Sequence, residues 1–67
     1  MNDQDTLDRI DAQRLKFMKE SAREFAARLG FVYTIYVERG KPNSLMLSHG
    51  RADSNYIKIW STENGKD

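Results

Sequence analysis

The 67-residue chain contains no cysteine. That absence excludes a disulfide framework, a zinc knuckle and a thiol nucleophile. Histidine occurs once, at His49, so there is no local spacing of ligands for a metal ion. Long hydrophobic runs are missing too. The longest mostly apolar stretch, Phe31 to Val37, is interrupted by Thr34. It falls far short of the roughly 20 residues that a membrane-spanning helix needs. Nor is there an excess of one charge, since eleven Lys and Arg face ten Asp and Glu for a formal net charge of +1. This near balance argues against a protein that coats nucleic acid with positive charge. The opening Met-Asn-Asp-Gln-Asp is polar and acidic, the opposite of a secretory leader. The expectation is a cytoplasmic protein with no membrane association and no cofactor.

The residues that are present, 39% hydrophobic and 31% charged, match an ordinary globular domain. Residues 1–67 read as a single domain in two halves that meet at Gly30. No Gly or Pro precedes Gly30, whereas the β-branched and aromatic residues crowd the stretch after it. The first half reads as one helix from about Asp5 to Leu29. Asp5 or Thr6 caps it, Asp8 sits in the first turn, and Gly30 ends it. Asp5–Arg9, Lys16–Glu20 and Glu24–Arg28 fall at i,i+4, and Asp11–Arg14 at i,i+3. The second half reads as strands over 31–38, 44–49 and 56–62. Arg39 to Asn43 form a turn with Pro42 at its second position. Short loops favour neighbouring strands, so the expected class is α+β, one long N-terminal helix on a three-stranded antiparallel meander sheet, α-β-β-β.

The helix carries two apolar stripes about 80° apart. Leu15, Met18, Ala22, Phe25 and Leu29 lead into the first strand and should cover the sheet. Leu7, Ile10, Arg14, Phe17 and Ser21 form the other. A straight helix of this length spans about 37 Å and the strands about 23 Å, an overhang of roughly 14 Å. Asp11 falls in the sheet-facing direction, where an unpaired carboxylate is costly. The expectation is therefore that the first turns project beyond the sheet. Leu7, Ile10 and Phe17 then meet another chain, with Arg14 as polar anchor, and a homodimer is the leading form. The competing reading is a bent helix whose second stripe is core.

On the sheet, Ile57, Ile59, Leu45 and Leu47 are expected to face the helix together with Phe31, Tyr33, Ile35 and Val37. Strict alternation then places Tyr36, Met46, Tyr56 and Trp60 on the outer face around Lys58. Exposed Trp and Tyr suit a protein partner. They also suit base stacking, which makes a nucleic-acid-binding module using this face and the loop cations Arg39, Lys41 and Arg51 the alternative.

No catalytic residue, cofactor site or metal site is expected. Ser48 adjoins His49, but neighbours on a strand point to opposite faces and cannot pair as nucleophile and base. The order helix, Gly30-Phe31, strand, then Ser48-His49 in a second strand resembles HicA-type toxins. That resemblance covers four residues. It implies a small ribonuclease with a double-stranded-RNA-binding-like fold and His49 as the working histidine. The sequence departs from the family in its longer spacing from Phe31 to His49. It departs also in the flanking glycine, Gly50, which follows the pair. The leading expectation is a small non-enzymatic regulatory protein that acts by protein–protein contact. By analogy of size it could be a phage-type inhibitor of a host protein.

Overall fold

The computed structural model of the chain describes residues 3–50 and 54–64. It has the expected α+β architecture, helices on a three-stranded antiparallel sheet. The helical half is divided, however, into α1 (Asp3–Asp8) and α2 (Ala12–Leu29). Asp11 causes the division. Its backbone is extended, and its carboxylate accepts hydrogen bonds from the amides of Gln13 at 2.9 Å and Arg14 at 3.3 Å. A carboxylate that satisfies otherwise orphaned amides starts a helix. The residue that looked misplaced on the sheet-facing side is therefore the N-cap of α2. At the other end Gly30 adopts φ 76° and donates its amide to the Ala26 carbonyl at 2.9 Å, a left-handed C-terminal stop.

The expected overhang is not found. The 18-residue α2 runs about 27 Å, close to the roughly 26 Å of the eight-residue β2 (Lys41–Ser48). α1 folds against the hairpin. Thr6 is 2% exposed, and its Oγ1 accepts the amide of Gly40 at 3.0 Å. Asp3 and Arg39 form a two-pronged ion pair, with Nε to Oδ1 at 2.7 Å and Nη2 to Oδ2 at 3.3 Å.

β1 (Thr34–Glu38) occupies the centre of the sheet, between β2 and β3 (Tyr56–Ser61), in the order β2-β1-β3. The sheet is thus not a meander. β1 and β2 form a hairpin through Arg39-Gly40, with Gly40 at φ 82°. The next connection crosses to the far edge. Ser48 lies opposite Thr34 and Tyr56 opposite Glu38, so the seven-residue connection joins opposite ends of β1 on its two sides. That diagonal is about 16 Å, within the reach of about 23 Å of an extended segment that long. Hydrogen bonds place both its ends. The Tyr36 hydroxyl donates to the Gly50 carbonyl at 3.3 Å, and the Arg39 amide donates to the Asn55 carbonyl at 2.7 Å. Pro42 lies within β2 rather than at the turn. On an edge strand its missing N–H removes no essential ladder bond.

The core sits where α2 crosses β1. Ile35, Val37 and Ala22 are fully buried. Leu45 and Leu47 face Val37 and Ile35 from β2, and Ile57 and Trp60 face the same pair from β3. Phe31, expected inside, precedes the strand and is exposed, as is Val32.

The Asp3–Arg39 pair gives α1 an acid-sensitive anchor. Hydrogen bonding from the Arg39 guanidinium holds the Asp3 carboxyl below the usual carboxylate range. A carboxyl with a lowered folded value stabilises at pH above its unfolded value of about 3.9, and that contribution is lost as pH falls through the lowered value. Acid should therefore loosen α1 before the sheet opens. Protection of the Gly40 amide, taken relative to its intrinsic exchange rate at each pH, should fall below about pH 4. Asp3→Asn should remove this acid step and leave faster exchange at neutral pH. An unchanged profile in Asp3→Asn would disprove the anchor.

Candidate functional site

The large apolar side chains that remain exposed are Phe17 (68%), Phe25 (41%), Leu29 (55%), Phe31 (54%) and Val32 (46%). All but Phe17 gather at one end of the molecule, where α2 stops and the chain turns into β1. The cause is local. Gly30 ends the helix, and the chain needs Phe31 to Tyr33 to swing back before pairing starts at Thr34. Tyr33 is fixed there by Thr62, whose Oγ1 accepts the Tyr33 amide at 2.9 Å and whose amide donates to the Tyr33 carbonyl at 2.9 Å.

Rings link this end together. Phe25 lies 5.8 Å from Tyr33, and Tyr33 meets His49 edge-on at 5.8 Å. His49 in turn stacks on Phe31 at 5.3 Å, with 23° between the planes. Such pairs add about 0.5–1.5 kcal/mol each beyond the area they bury. The exposed imidazole of His49 thus sits among aromatic rings at the exit of β2. Ser48 is turned away, since its Oγ accepts the Gly50 amide at 3.1 Å. Among the described residues no group of three or more His, Cys, Asp or Glu could hold a metal ion. No helix there is long and apolar enough to cross a membrane.

The expected partner residues do not form one surface. Leu7 and Ile10 are half-buried where α1 folds down. Arg14 is exposed and donates from Nη1 to the Asn43 carbonyl at 3.4 Å. Phe17 stands alone on the open face of α2. Tyr36, Met46 and Lys58 share the outer face by register, and Tyr36 and Met46 are half-buried. Tyr56, also half-buried, pairs with Glu38 at the end of β1.

Trp60 is displaced from the expected arrangement. The register of β3 shifts between its pairings with Tyr36 and Ile35, and Ile59 is the extra residue. An extra residue reverses the alternation beyond it. Trp60 therefore faces Ile35 and the helix side, with Lys19 Nζ 5.8 Å and Arg23 Cζ 5.3 Å from its ring centre. Its Nε1 is inaccessible and has no hydrogen-bond partner.

The loop cations are also engaged. Arg39 joins Asp3, donates to the Ser54 carbonyl, and holds Asn55 through its amide. Lys41 pairs with Glu38 at 3.2 Å. Arg51 lies outside the described residues.

The aromatic end went unrecognised in the sequence because Phe25, Phe31 and Tyr33 fit the core pattern. The available signal was the dense apolar stretch Leu29 to Val32 on both sides of a helix stop, more than a small core can cover. No family model, curated protein or solved structure matches this chain.

Proposed function

We propose that this chain acts by protein–protein contact, as a small regulatory protein, and that two copies meet through the aromatic end. The observation that carries the reading is the exposure of Phe25, Leu29, Phe31 and Val32 beside the ring contacts of Tyr33 and His49. A monomer of this size gains by covering a contiguous apolar patch, and aromatic anchors dominate binding energy at interfaces. A nucleic-acid role draws less support. Arg39 and Lys41 are tied into ion pairs, and Trp60 lies under Lys19 and Arg23 rather than open for stacking.

Light scattering at micromolar concentration should report a dimer. Phe25→Glu combined with Phe31→Glu should give a folded monomer by circular dichroism, at a cost of about 1–2 kcal/mol each for the ring contacts to Tyr33 and His49. A wild-type monomer at every accessible concentration would remove self-association from the proposal. RNA cleavage abolished by His49→Ala would replace protein contact with the ribonuclease reading.

A further inference from the structure

A second surface, separate from the aromatic end, lies along β3. Among the described residues β3 is an edge strand paired only with β1, and an edge strand presents unpaired amides and carbonyls. Cations flank this edge on both faces of the sheet. Lys58 is exposed and sits opposite Tyr36 on the outer face. On the helix side Lys19 and Arg23 lie over Trp60 of β3. Lys16 is exposed and shares their flank of α2, since 16, 19 and 23 follow helical i, i+3, i+7 spacing. Glu20 is the i,i+4 partner of Lys16, about 40° around the helix from it, so Lys19 carries the positive charge nearest β3 on this face.

We infer that the β3 edge takes an acidic extended segment of another protein as a fourth strand. The main chain of that segment pairs with β3. Its alternate side chains then reach Lys58 on one face and Lys19 on the other, which is how added strands gain both affinity and selectivity. Charge decides the occupant. Two copies joined edge to edge would bring their own lysine flanks together, and like charges in register oppose such pairing. A nucleic acid strand matches the charge but needs a free ring to stack on, and Lys19 and Arg23 already lie over Trp60.

Trp60 is the only tryptophan, so its emission reports on this flank. The test titrates the full chain with a short synthetic peptide in which Glu alternates with Val, followed by fluorescence and by calorimetry. Saturable binding is expected, weakening about tenfold or more from low to high salt as the charges are screened. Lys19→Glu combined with Lys58→Glu should weaken it at least about tenfold while leaving the circular dichroism unchanged. The same peptide N-methylated along its pairing edge should lose binding, because its main-chain donors are gone. Absence of heat and of emission change would overturn the inference. So would equal binding of the Lys-for-Glu peptide or of the N-methylated one, or tighter binding of an oligothymidine strand. None of these outcomes depends on whether the aromatic end forms a dimer, which light scattering measures separately.

Discussion

Ile35→Ala should cost about 3 kcal/mol of stability and lower the melting temperature by at least about 12 °C. Ile35 is fully buried at the middle of the central strand, opposite Leu47 on one side and Trp60 on the other. The truncation removes several methylene-sized groups from a site held on both flanks by ladders, so the cavity has little freedom to collapse. Domains of this size hold only about 3–10 kcal/mol in total. The variant should therefore lose from about a third to nearly all of the native stability. Urea denaturation checks this, with Ile35→Val as a milder step of about 1 kcal/mol. Phe17→Ala is the contrast. Phe17 is as large but mostly exposed, and its loss should change stability by less than about 0.5 kcal/mol. Equal costs at the two positions would contradict the placement of the core on β1.

Trp60→Ala separates the two arrangements of β3 and should destabilise the fold by about 2 kcal/mol. An aromatic on an open outer face would lose about 0.5 kcal/mol or less on truncation. A fully buried tryptophan loses about 3–5 kcal/mol, and the half-buried position of Trp60 scales that down. The loss has two parts. The ring covers Ile35 across the ladder, and it supports the stems of Lys19 and Arg23. Trp60→Phe should recover more than half of the stability, because Nε1 donates no hydrogen bond that the replacement would lose. A cost below about 0.5 kcal/mol for Trp60→Ala would return this side chain to the outer face.

The helix stop at Gly30 was legible before any coordinates, as were the three strand segments and the inward set Leu45, Leu47, Ile57, Ile35 and Val37. Each rests on a rule that acts over a few residues, namely left-handed glycine, β-branched enrichment and alternation. The break at Asp11 was legible in principle. An Asp that interrupts an apolar stripe is as much a cap as a misfit, and the overhang argument chose the misfit because it assumed a straight helix.

Composition and periodicity alone determined an α+β chain with a helix on one face of a small antiparallel sheet. Tertiary structure decided the rest. The central place of β1 depends on which edge β3 joins, and the loop length permits either. The face of Trp60 depends on one extra residue in β3, which no local pattern announces, because Ile59 and Trp60 alternate as well in a regular strand as in a bulged one. The engagement of Arg39 with Asp3 joins residues far apart in sequence through the fold of α1 onto the hairpin. Sequence rules act over a few residues and fix which groups can share a face. Which faces meet, and which apolar groups stay uncovered at the aromatic end, is settled only when the whole chain competes for one small core.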